Sequence, residues 1–139
     1  MKNRFFSGMV VAILGLLIIL VPVWIFPPCS EVIETAAGNM RMKCFWSGQA
    51  EIGIGFLILC GGALLIVFKS PLIRLGLSVM LSLIGVLGIL IPTLLIGGCE
   101  MATMPCRMTT FPALIILNLL MGGFSAANAL HLWRQNKKP

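Results

Sequence analysis

The stretch Gly15-Leu-Leu-Ile-Ile-Leu-Val-Pro22-Val-Trp-Ile-Phe-Pro-Pro-Cys29 decides the fold, because it returns seventy positions later as Gly85-Val-Leu-Gly-Ile-Leu-Ile-Pro92-Thr-Leu-Leu-Ile-Gly-Gly-Cys99. Glycine, proline and cysteine keep the same spacing in both. Each copy is followed by a second echo, Met42-Lys-Cys44-Phe-Trp-Ser47 and Met104-Pro-Cys106-Arg-Met-Thr109, just ahead of another apolar run. The unit reads as a hydrophobic hairpin with two cysteines in its loop, present twice.

The chain has 139 residues, 59% of them hydrophobic and only 10% charged, which lies outside the composition of soluble globular domains. A bilayer core is crossed by roughly 20 apolar residues in a helix. Four stretches qualify: Phe5 to Phe26, Gln49 to Phe68, Leu75 to Ile96 and Phe111 to Trp133. None carries the polar face that a water-soluble amphipathic helix would keep. The first stretch is too long for the core of a cleaved signal peptide, and its pattern recurs as the third span, where no signal peptide belongs.

The expected fold is therefore an all-α membrane protein. It is a four-transmembrane-helix bundle of two duplicated hairpins in parallel repeat, one domain over residues 1–139, with repeat one at 5–68 and repeat two at 75–133. Cations set its orientation. Lys2, Arg4, Lys69, Arg74, Arg134, Lys137 and Lys138 fall at the two termini and the short middle turn; Arg41, Lys43 and Arg107 fall in the other loops. The positive-inside rule then places both termini in the cytoplasm. The net charge of +6 is scattered over span ends, so nucleic acid is not an expected partner; the lipid bilayer is.

Pro22 and Pro92 are expected to kink spans one and three. Ser47 and Thr109 are suited to cap the starts of spans two and four, and Pro112 suits a first helical turn. The connection Lys69-Ser-Pro-Leu-Ile-Arg74 makes spans two and three antiparallel neighbours. Gly48, Gly53, Gly55, Gly61 and Gly62 in span two, and Gly122, Gly123, Ser125, Ala126 and Ala127 in span four, offer places for close helix approach.

Cys29, Cys44, Cys99 and Cys106 all fall on the predicted outer side, where thiols are oxidised. Four cysteines allow three pairings. Treating both copies alike gives Cys29 with Cys44 and Cys99 with Cys106. Two other chemistries compete for these sulfurs. Four spans with a cysteine pair in each outer loop resemble the membrane thiol oxidase DsbB, which passes electrons to quinone. That family carries Cys-x-x-Cys, whereas the gaps here are fourteen and six residues. Lys43 and Arg107, beside Cys44 and Cys106, would favour the thiolate. Alternatively, Met40, Met42 and Cys44 with Met101, Met104, Cys106 and Met108 form a sulfur-rich surface of the kind that selects Cu(I). No cofactor is expected outside these two alternatives.

Glu51, beside Gln49, sits about one turn inside span two as drawn, and an ionisable residue in a span is a functional candidate. Its shallow depth suits an interfacial carboxylate. Asn118 and Asn128 are placed to bond between helices. His131 and Trp133 read as interface anchors, and Cys60 as a small core residue. There is no phosphate-binding glycine loop, no histidine and acid pair, and no chain of buried charges, so a non-enzymatic role is expected.

The segments Met40-Arg-Met-Lys-Cys44-Phe-Trp-Ser-Gly-Gln-Ala-Glu51 and Cys99-Glu-Met-Ala-Thr-Met-Pro-Cys106-Arg-Met-Thr-Thr110, followed by Pro112-Ala-Leu, resemble a family of small bacterial four-span membrane proteins of unknown function. Members of that family are often encoded near ABC transporters of the macrolide-exporter type. The resemblance implies a bacterial cytoplasmic-membrane location and an accessory role beside such a transporter. It carries no catalytic residues.

Overall fold

The structure is a computed structural model that describes residues 2–27, 32–41, 43–98, 103–104 and 106–138. Its framework is four helices: α1 (Lys2–Leu20), α2 (Lys43–Val67), α3 (Pro71–Leu90) and α4 (Phe111–Lys137). π-helical turns extend α1 through Val21–Ile25 and α3 through Ile91–Leu95, and a third, Cys106–Thr110, leads into α4. With these turns included, four helical segments, Lys2–Ile25, Lys43–Val67, Pro71–Leu95 and Cys106–Lys137, are long and apolar enough to cross a bilayer. Four such helices fit a multi-pass membrane protein.

The distribution of apolar side chains agrees. Phe6 and Leu16 on α1, Phe56 and Leu57 on α2, Leu83 and Val86 on α3, and Leu119 and Leu120 on α4 are all exposed. A surface this apolar on every helix matches hydrocarbon, not water. Val11, Ile18, Ile54, Ile58, Leu65, Leu81, Leu114 and Met121 fill the centre.

Helix α1 packs chiefly along α2, and α3 along α4. Glycine makes both approaches possible. A Cβ on Gly15 would stand 2.7 Å from the Leu59 backbone nitrogen, and one on Gly55 would stand 2.9 Å from the Gly15 carbonyl oxygen. In the second hairpin, a Cβ on Gly85 would meet the Gly122 Cα at 3.0 Å. Backbone-to-backbone packing of this kind is how helices associate where no hydrophobic effect drives them together. Gly53 and Gly123, also expected at close contacts, face open space. The hairpins meet through α1 with α4 and α2 with α3, which leaves α2 and α4 on the diagonal of the bundle.

Both prolines sit in π turns, not simple kinks. Pro22 and Pro92 each stand near the start of such a turn. A proline has no N–H to give the carbonyl four residues back, and the wider turn reroutes the remaining bonds. The Phe26 N–H donates to the Val21 carbonyl at 2.8 Å, and the Ile96 N–H donates to the Ile91 carbonyl at 3.0 Å. Thr93 Oγ1 donates to the Ile89 carbonyl at 2.7 Å, satisfying one acceptor that the proline turn disturbs. Gly97, at φ +73°, turns the chain out of the second π turn.

The structure adds one element to the helical fold and corrects two sequence expectations. Between α1 and α2 lies an antiparallel hairpin, β1 (Val32–Thr35) and β2 (Gly38–Arg41), paired Val32 to Arg41 and Thr35 to Gly38. The all-α reading did not anticipate it. Helices α2 and α3 begin at Lys43 and Pro71, ahead of the expected Gln49 and Leu75. Pro71 is suited to the first helical position, so only Phe68–Ser70 separates α2 from α3. Finally, Ser47 lies inside α2, and the residue before α4 is Thr110, whose side chain makes no cap bond. Thr110 Oγ1 instead donates to the Phe26 carbonyl at 3.2 Å, tying α4 to the end of span one.

Candidate functional site

On α2, Cys44, Ser47 and Glu51 are spaced three and four residues apart, so they share one face, and that face is buried. Gln49, two residues from Glu51, points elsewhere and is exposed. The early start of α2 places Glu51 eight residues beyond Lys43, about 12 Å along the helix and well past its first turn.

Glu51 and Asn118 are both 0% exposed. Asn118 Nδ2 donates to Glu51 Oε2 at 3.0 Å and also to the Leu114 carbonyl at 3.0 Å within its own helix. The first of these bonds crosses the bundle diagonal, from α4 to α2. Gly88 on α3 makes the crossing possible: a Cβ there would collide with the Asn118 carboxamide. Pro92 acts on the same place, because it offers no N–H to the Gly88 carbonyl.

Three buried polar atoms in this centre have no hydrogen-bond partner: Glu51 Oε1, Asn118 Oδ1 and Ser47 Oγ. Among the described residues Glu51 is the only acid or base counted as buried, so no buried lysine, arginine or histidine faces it. A cluster of this kind is costly in a low-dielectric interior and marks a functional candidate.

Toward the loop end this centre is followed by a second cluster, in which Cys44, Cys106 and Phe111 are buried and Met104 packs against them. Lys43 and Arg107 are exposed, so each neighbouring cysteine side chain points inward while the cation points out, and Cys44 is disulfide-bonded. Among the described residues no disulfide joins two cysteines. Cys29 and Cys99, the other halves of the expected pairs, lie outside the described residues, as do Met42 and Met101. Met40 is part of β2, and its side chain is likewise outside the description. Met108 is exposed, so of the described sulfurs in the expected copper set only Cys44, Met104 and Cys106 come together. Among the described residues no group of three His, Cys, Asp or Glu gathers to hold a metal.

At the opposite end, Arg74 Nη2 reaches Ser7 Oγ at 3.4 Å, and Ser7 Oγ donates to the Arg4 carbonyl at 3.2 Å. Asn128 Nδ2 donates to Ser78 Oγ at 2.8 Å, joining α4 to α3. Both asparagines thus bond between helices, as expected. Cys60 departs from expectation, being exposed on α2 and not in the core.

A family model described as Domain of unknown function (DUF4418) matches residues 11–131. The chain belongs to this family. The matched range of DUF4418 contains Ser47, Glu51, Gly88 and Asn118, and both buried cysteines. Searches of curated proteins and of solved structures found no match.

Sequence reasoning singled out Glu51 and Asn118 separately but did not join them. The signal that joins them is the glycine at 88, where span three lacks the side chain that would block the diagonal.

Proposed function

We propose that this DUF4418 protein is a non-enzymatic accessory subunit of the bacterial cytoplasmic membrane, with both termini in the cytoplasm and its cysteine loops outside. Its two hairpins are copies of one unit in parallel repeat. Matched π turns at Pro22 and Pro92 and matched close packing at Gly15 and Gly85 support the duplication. The loops are tied by disulfides, Cys29 with Cys44 and Cys99 with Cys106, and present an ordered surface to a membrane partner. The partner class, an ABC-type transporter, follows from the family resemblance.

The observation that carries this reading is the burial of Cys44 and Cys106 in one cluster with Phe111. Reactive thiols and copper-loading sites sit at accessible positions, whereas buried cysteines are structural. The position of Cys44 and Cys106 at the ends of two different hairpins makes them a natural seal for the loop end of the bundle.

Alkylation before and after reduction, read by mass spectrometry on protein from native membranes, tests it. Stable protection of all four loop cysteines until reduction is the expected result. A mixed disulfide trapped by a single Cys-to-Ser change would move the assignment to thiol exchange, and stoichiometric copper on free thiols would move it to metal handling. The accessory role fails separately if the protein purifies alone under mild detergent.

A further inference from the structure

The hydrogen-bond inventory of the bundle centre leaves a specific deficit. Asn118 Nδ2 has two hydrogens, and both are used, one on Glu51 Oε2 and one on the Leu114 carbonyl. Glu51 Oε1 and Asn118 Oδ1 are acceptors on the same two bonded side chains, and neither receives a donor. The Ser47 hydroxyl, one turn nearer the loop end on the same face, brings a single hydrogen and also has no partner. An ionised Glu51 would place a carboxylate in this centre with no cation to face it, the least favourable arrangement for a buried charge.

We propose that Glu51 is an intramembrane proton-binding site, in which one proton on Glu51 Oε1 is donated to Asn118 Oδ1. With that proton in place, the carboxylic acid and the carboxamide bond to each other twice, through Asn118 Nδ2 to Oε2 and Oε1–H to Oδ1. Both orphan acceptors are satisfied at once. The step is a simple protonation of the carboxylate by water-borne H⁺, with no electron transfer and no other reactant.

A metal cation fits less well. Calcium takes six to eight oxygen ligands and magnesium a complete octahedron, whereas the unpartnered oxygens here are those of Ser47, Glu51 and Asn118 alone. The proton also has a structural consequence. On deprotonation the diagonal contact keeps the bond from Asn118 Nδ2 to Glu51 Oε2 and loses the one from Oε1–H to Oδ1, so the proton adds a second bond between α2 and α4. This inference does not depend on the accessory role or on the state of the cysteines.

Infrared spectroscopy of the protein in lipid nanodiscs, titrated with pH, tests it. All four acids of the chain are glutamates, and those in water lose their protonated-carboxyl C=O band near their ordinary value of about 4.3. The expected result is one such band that persists at pH 7, is missing in Glu51→Gln and changes frequency in Asn118→Ala. Should Glu51→Gln fail to fold, the shift in Asn118→Ala assigns the band. Absence of the band at pH 7 in the unaltered protein, or its indifference to both changes, overturns the proposal. So does its disappearance on adding sodium or potassium at fixed pH, which would make the centre a metal-cation site.

Discussion

Asn118 on α4 hydrogen-bonds to Glu51 on α2 at 3.0 Å across the diagonal of the bundle. The two helices are not packing neighbours, and the bond exists because α3 presents only a glycine, Gly88, in the path between them. One polar contact therefore connects the two hairpins at their most buried level, while the glycine seams hold each hairpin together internally.

Gly88→Ala should break this arrangement, because the added methyl would occupy the position of the Asn118 carboxamide. Overpacking of a filled core costs about 1–3 kcal/mol. Thermal unfolding in detergent is expected to show a clear loss of stability for Gly88→Ala and almost none for Gly53→Ala, where nothing lies within 4 Å of the new methyl.

The first hairpin should depend on Gly15 in the same way. Gly15→Leu would force α1 off the Leu59 backbone. Protein carrying it is expected to show faster protease cleavage at the α1–α2 connection than Gly123→Leu, whose site faces open space.

Thr93→Val removes the 2.7 Å bond to the Ile89 carbonyl beside Pro92. A single hydrogen bond of this kind is worth about 0.5–1.5 kcal/mol net. The expected outcome is a small fall in unfolding midpoint, with faster amide exchange confined to residues near the second π turn.

Orientation is open to direct labelling. In a cysteine-free variant, Gly38→Cys in the β hairpin and Lys137→Cys at the end of α4 mark the two ends of the bundle. An impermeant maleimide on intact cells is expected to label the first and to reach the second only after the membrane is opened.

The four spans were legible because each is a long uninterrupted apolar run, and the proline-centred echo pointed correctly to a special backbone at both Pro22 and Pro92. Helix starts were less legible. Lys43-Cys-Phe-Trp-Ser-Gly continues α2 by six residues with polar, aromatic and small side chains, and an apolar count recognises only the hydrocarbon-spanning part. That misplaced boundary put Glu51 in the first turn of the helix and made Ser47 look like a cap. The Glu51–Asn118 pairing could not be read from the chain at all. It depends on the rotation of α4, which enters through a π turn at Cys106–Thr110 that shifts every later side chain relative to a plain α-helix. The β hairpin was missed because Val32–Thr35 and Gly38–Arg41 are short and lie between much stronger helical signals.

A double-mutant cycle on the diagonal pair tests the central claim most directly: unfolding free energies for Glu51→Leu, Asn118→Leu and the combined variant, measured in one detergent. Each single change strands the other polar group in the bundle, so the two effects should not add. A coupling of about 0.6–1.7 kcal/mol, between the average and the maximum found for polar contacts between membrane helices, is predicted, with the double variant more stable than the sum of the singles implies. Strict additivity would contradict the account, since it would mean that Glu51 and Asn118 do not act on each other.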